Sequence, residues 1–345
     1  MSETNHNATH VANGWDFQSN AAIVLFIRNI KDSKSVEVEG SKEDIEIVLN
    51  DDSKIMAQVK STYIDDFSTQ IDESRNIEKF KDALNTLYDA DSNNVNNLVY
   101  IINSRNPFNE RESVYNITGI SEYSFNDLPE VNQNRIKQIL GFASTNNPNL
   151  ENFNLDKLKV ITIPFAGSAP NKYSEIYSEI YRLLNSLGIN QRYDEEFAKK
   201  LQLLFWQNTS SRYTKLKKED FVWPLIILLT DKVDVPEDIL SEYDESEINE
   251  IQLKFKSIIE RKSNDFLFVN YVINKYEEFY QTQQIRTNAI KNFVNQRYGD
   301  FMETIGLPIE DYLTKGVVKI TLYNILSNRG RITKIKNGVN LSWNL

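Results

Sequence analysis

The sequence predicts a mixed α/β domain followed by a mainly α-helical domain that ends in a small C-terminal β-hairpin, and three observations carry this expectation. Residues 14–104 switch between helical spacing and strand-like alternation of apolar and polar residues. From Tyr173 onward, apolar residues recur at intervals of three and four. Near the end, Asn337-Gly338 sits between ITKIK and VNLSW, which is a type I′ hairpin signal. Composition shifts then divide the chain into a polar tail read as disordered over 1–13, a first domain over 14–165 and a second over 166–345.

Phe17 to Ile30 has the apolar spacing of a first helix, and VEVE at Val36 to Glu39 reads as a short strand ending in a carboxylate. After a turn at Gly40-Ser41, Asp44 to Leu49 alternates polar and apolar residues. The Asn50-to-Ser53 stretch is a second turn signal, and Lys54 to Lys60 alternates again, so a helix followed by a three-stranded meander is expected. The Phe80-x3-Leu84 spacing predicts another helix leading to the strand LVYIIN. Residues 105–157, rich in Asn, Pro, Ser and Glu, read as an excursion with one helix near Glu130 to Phe142, before a short strand over Leu158 to Pro164. Beyond Tyr173 about five to seven helices are expected, with Gly188 as a C-cap and Pro236 and Pro308 opening new segments.

Composition excludes several chemistries. The chain has no cysteine, which removes disulfides, thiol nucleophiles and thiolate-bound metals. Its two histidines, His6 and His10, both fall in the polar N-terminal stretch, so catalysis must use carboxylates, amides, lysines, hydroxyls or hard metal ions. No apolar run is long enough to span a bilayer and no signal peptide is evident, so the chain reads as cytoplasmic with no membrane partner. The net charge is −10; residues 1–165 hold 15 Lys and Arg against 25 Asp and Glu, whereas residues 166–345 hold 24 of each. So acidic a first half repels phosphate backbones, and an autonomous tight DNA binder is not expected.

Residues two apart on a strand share a face, so Gln58 and Lys60 project together while Val59 points the other way. Asp44 joins them if the register of the preceding strand allows, and Glu39 is a fourth contributor. Phosphodiester hydrolysis requires this combination. Mg²⁺, with Mn²⁺ as an alternative, takes oxygen ligands, here Asp44, Glu39, the Gln58 side-chain carbonyl, the Val59 backbone carbonyl and water. Lys60 would orient the attacking water or neutralise charge in the transition state.

The pattern Asp44-x13-Gln58-x-Lys60, preceded by Gly14-x3-Gln18 and Glu39, resembles the QxK variant of the PD-(D/E)xK restriction-endonuclease-like superfamily. It is most similar to the double-stranded DNA endonuclease domain of anti-phage effectors: the nuclease subunit of Lamassu-type complexes and the CD-NTase-associated (CBASS) nucleases. GWDFQSNAA, EGSKEDIEIVL and QVKST carry the match, which covers 14–104 and extends toward 165. The resemblance implies a restriction-endonuclease-like α/β fold, an active-site role for Gln18 and a Mg-dependent DNA endonuclease. It also implies assembly with an SMC-like ATPase and a small accessory subunit, and a homo-oligomer when active. Glutamine in place of the usual acidic residue lowers the ligand charge. The helical second half resembles the Lamassu-type subunit more than the cyclic-nucleotide sensor of the CBASS nucleases.

Ordinary readings accompany each signal. Asp44 and Glu46 also fit the wet face of an amphipathic strand, and Gln18 also fits a hydrogen bond across the first helix. Phe266, Phe268, Tyr271, Tyr276 and Tyr280 read as helix core, and Trp206 and Trp223 as core or interface. Lys215, Lys217 and Lys218 read as a surface patch. Lys334 and Lys336 are expected to share one face of the terminal hairpin, with Arg329 and Arg331 nearby. Two alternatives to the nuclease subunit stand beside it: a catalytically inactive scaffold or assembly protein that keeps the fold, and a CBASS effector gated by a cyclic oligonucleotide.

Overall fold

The computed structural model describes residues 4–40, 43–62, 64, 73–105, 107–108, 119–167, 171–189, 194–210, 215–229, 235–236, 239–254, 256–263, 265–282, 287–308 and 312–341. The chain forms two compact units, Met1–Phe221 and Val222–Leu345.

The first unit is built on α1 (Thr4–Arg28), β1 (Ser33–Val38), β2 (Ile45–Leu49), β3 (Lys54–Lys60), α2 (Glu73–Ala90) and β4 (Val95–Ile102). It continues through β5 (Ser121–Ser124), α3 (Glu130–Ser144), β6 (Leu158–Thr162), α4 (Ser174–Ser186), α5 (Asp194–Ser210) and β7 (Leu216–Lys217). All seven strands join one sheet in the order β5-β6-β4-β3-β2-β1-β7. The β1-β2-β3 meander is antiparallel, with Val36 opposite Ile47 and Ile47 opposite Ile55, whereas β3, β4 and β6 run parallel. The turn between β2 and β3 is closed by Leu49 N–H donating to Ser53 O, with Asp52 in the left-handed region at φ 64.

Alternation along the strands divides the apolar residues between two helical layers. Met56, Leu98, Tyr100, Ile102, Leu158 and Val160 share one face and form a core with Phe80, Leu84 and Leu87 of α2 and Ile136 and Ile139 of α3. Phe80 lies at its centre, with ring centroids 5.0 Å from Tyr100 and 4.8 Å from Phe108. Ile45, Ile47, Ala57, Val99, Ile101 and Ile161 have the opposite parity and are also buried. Helix α1 packs on β1, β2 and β3, and α4 and α5 pack on α1. Because Ala21 through Ile27 are all buried, this part of α1 is enclosed on every side.

Three expectations change in this unit. The predicted disordered tail over 1–13 is helical from Thr4, because α1 propagates backward from the buried Phe17–Ile27 segment and meets no proline. The domain division falls at 221/222 rather than 165/166. The composition change near 166 marks a change of period, not of packing partner: Phe26 meets Phe205 at 6.3 Å and Arg28 pairs with Glu179 at 2.6 Å. Lys218, expected on the surface, is buried with Nζ donating to the Lys31 carbonyl at 3.1 Å; Trp206, read as core or interface, is 59% exposed and so not core.

Helix α6 (Lys218–Leu229) runs across the division. The second unit continues with α7 (Glu245–Lys254), α8 (Lys256–Ser263), α9 (Phe266–Thr282), α10 (Ala289–Arg297) and α11 (Tyr312–Gly338). Helix α11 packs against α7, α8, α9 and α10. Phe293 anchors the aromatic core against Tyr276, Phe279 and Phe301. Phe268 and Tyr276 are buried as expected of a core stripe, but Tyr271 is 36% exposed.

The predicted C-terminal hairpin is absent: ITKIK is the last turns of α11. Val317, Ile325, Ile332 and Ile335 are buried at helical spacing, so tertiary packing overrides the strand-like run. The Asn-Gly signal marks a helix end instead, where left-handed Asn340 and the Leu341 N–H donating to Lys336 O close the last turn. Lys334 and Lys336 thus lie about 200° apart around a helix rather than on one strand face. Residues 342–345, including Trp343, and Ser41 of the predicted Gly40-Ser41 turn lie outside the described residues.

Candidate active site

The sequence-predicted residues converge where β1 ends, β2 begins and β3 ends. Extending the β2–β3 register by one pair from Ile45–Ala57 sets Asp44 opposite Gln58. Asp44 Oδ2 accepts the Val59 N–H at 2.7 Å, so the carboxylate occupies the place of the next ladder partner. From α1, Gln18 Nε2 donates to the Asp44 carbonyl at 3.3 Å. Gln18 therefore reaches the site through the aspartate's backbone, not across its own helix.

Glu39 follows β1 with φ 56, a conformation uncommon for a side chain of this size. Two bonds hold it there: the Val38 N–H donates to Asn208 Oδ1 of α5 at 2.9 Å, and the Glu39 N–H donates to the Asp44 carbonyl at 2.8 Å. Backbone strain of this kind concentrates at functional sites.

The Gln58 amide also serves a second carboxylate. Its Nε2 donates to Glu43 Oε2 at 2.5 Å, which gives the buried carboxylate a hydrogen-bond donor. Glu43 is the residue that sequence reasoning missed. It is 3% exposed, and its second oxygen, Oε1, is buried with no hydrogen-bond partner. Burial pushes the Glu43 carboxyl up to about 7; the Gln58 donor and the Lys60 charge oppose that rise, and the Asp44 charge adds to it. Burial also raises the Asp44 carboxyl, against the Val59 N–H and Lys60, with Glu39 adding to the rise. Glu39, Glu43, Asp44, Gln58 and Lys60 thus form a single electrostatic cluster.

The backbone leaving Lys60 is clamped. Thr62 N–H donates to Asn103 Oδ1 at 2.8 Å, and Asn103 Nδ2 donates to Thr62 O at 2.7 Å and to Phe165 O at 3.1 Å. Lys79 of α2 adds a bond from Nζ to Ser61 O at 2.7 Å and another to Thr62 Oγ1.

Among the described residues no group of three or more His, Asp and Glu side chains forms a ready metal cage. A Mg²⁺ site needs less, since that ion keeps several waters and is commonly bound by one or two carboxylates. The unpartnered Glu43 oxygen beside Asp44 fits such an ion, with the Glu39 carboxylate adding negative charge nearby. The available sequence signal was a second acidic residue, Glu43, directly before the alternating run that starts at Asp44.

No family model and no curated protein matches this chain. Among solved structures, the Moraxella osloensis Cap4 SAVED/CARF-domain containing receptor shares 17% identity at a TM-score of 0.38, covering 62% of this chain and 47% of its own. The Acinetobacter baumannii Cap4 SAVED/CARF-domain containing receptor shares 13% at 0.39 and covers 74% and 60%. The same receptor with the cyclic trinucleotide 2'3'3'-cAAA shares 14% at 0.39 and covers 85% and 59%. The chain spans about half to three-fifths of those structures. Overlap this low does not establish a shared fold.

Proposed function

We propose that the Met1–Phe221 unit is a metal-dependent nuclease domain of the PD-(D/E)xK class, acting on double-stranded DNA as the effector of an anti-phage complex. The observation that carries this reading is the buried, unpartnered Glu43 oxygen beside Asp44, with Gln58 holding the other oxygen and Lys60 within electrostatic reach. A helix, an antiparallel meander, a helix and a parallel strand bring these residues together, an order that supports the restriction-endonuclease-like reading.

When bound, Mg²⁺ or Mn²⁺ supplies Lewis acidity and an acidified water. Glu43 and Asp44 would hold the ion together with several waters, with the Glu39 carboxylate adding negative charge nearby. The Val59 carbonyl is a further donor, since in an extended strand it points the same way as the N–H that meets Asp44. Gln58 fixes Glu43, Gln18 fixes the Asp44 backbone, and Lys60 offsets negative charge gathering on the phosphate. Excess acid in the first 165 residues disfavours DNA binding by a lone chain, so the reading includes assembly with an SMC-like ATPase and a small subunit, and pairing of sites in a homo-oligomer.

Lys60→Ala tests it. Plasmid cleavage by the assembled complex should need Mg²⁺ or Mn²⁺, vanish with EDTA and fall by at least about 100-fold in the variant, with thermal unfolding unchanged. An unaltered anti-phage phenotype in Lys60→Ala would establish the scaffold instead. Cleavage by the chain alone on adding a cyclic trinucleotide, with a thermal shift, would assign it to a CBASS setting rather than a Lamassu-type one.

A further inference from the structure

Helix α2 brings two more cations to the end of β3. Lys79 is drawn across to the Ser61–Thr62 backbone, immediately after Lys60. Arg75 lies one turn earlier on α2, on the same side of the helix, and is exposed. Among the described residues the Lys79 amine is met by a carbonyl and a hydroxyl and by no carboxylate. An ammonium group carries three donors, so one remains. Burial, reinforced by the charges of Arg75 and Lys60, lowers Lys79 to about 8. Keeping a desolvated amine within electrostatic reach of two like charges opposes folding, and an anion bound there would relieve both costs.

We propose that Arg75, Lys79 and Lys60 form a phosphate subsite that takes a DNA backbone phosphate next to the one presented to Glu43 and Asp44. This rests on the nuclease reading for the identity of the polymer. It supplies what an acidic unit lacks: a short cationic row on the approach to its carboxylates.

The test is binding of a fluorescein-labelled DNA duplex by the full-length protein in its assembled complex, with Ca²⁺ in place of Mg²⁺, over a range of salt. Each phosphate contact contributes about 0.9 to the slope of log K against log salt. Arg75→Ala and Lys79→Met should each lower the slope by up to about 0.9 and weaken binding several-fold. Lys34→Ala, a change at the start of β1 where Lys34 pairs with Asp52, should leave the slope unaltered. Unchanged slopes in both variants, or no duplex binding by wild type, overturn the subsite. Duplex binding with the expected slope losses but no cleavage sinks the nuclease reading and leaves the subsite standing. Cleavage with unchanged slopes does the reverse.

Discussion

Glu43→Gln is the most informative single change, because it keeps the shape and the acceptor for Gln58 while removing the ionisable group. In the wild type, burial raises this carboxyl from 4.5 to about 7. The folded state therefore holds the proton more tightly than the unfolded chain. That contribution is complete below 4.5 and is lost as pH rises through 7. At about 1.4 kcal/mol for each tenfold change in proton affinity, the ionised fold is about 3 kcal/mol less stable than the protonated one. Glu43→Gln should remove this loss. Urea unfolding followed by far-UV circular dichroism, without divalent metal, should show the variant gaining about 3 kcal/mol on wild type between about pH 4.5 and about pH 8.5. Adding Mg²⁺ at the higher pH should stabilise wild type and not the variant, because an ion that binds only the folded state shifts the equilibrium by mass action. A stability difference that is the same at both pH values would refute the burial of an ionisable Glu43 and, with it, the cation site.

Two further substitutions probe the frame around the site. Asn103→Ala removes three hydrogen bonds at the exit of β3 and leaves half-buried Thr62 and buried Phe165 backbone groups without these partners. It should cost about 2–4 kcal/mol in chemical denaturation and lower cleavage through misplacement of Lys60; equal stability would show that water replaces the amide. Phe80→Ala empties the centre of the core between α2 and the sheet, where the ring is fully buried against Tyr100 and Phe108. A loss of about 3–5 kcal/mol is expected, and a loss below about 1 kcal/mol would mean that the surrounding side chains collapse into the space.

The sequence by itself determined the local chemistry. Strand alternation put Gln58 and Lys60 on one face, the Asn50–Ser53 turn paired β2 with β3, and the lack of cysteine together with two terminal histidines left oxygen donors and lysines as the available tools. It also placed α3, β6 and the Gly188 helix end, because each is set by short-range periodicity or by one residue's backbone freedom. Only the tertiary structure decided which elements share a core. The helices after residue 166 that close on α1, and the ITKIK segment that remains helical, follow from burial among distant residues, which no local pattern encodes. Glu43 belongs to the same category. It lies just outside the alternating run, and only the fold, by excluding water and aiming the Gln58 amide at it, made it the most perturbed carboxylate of the site.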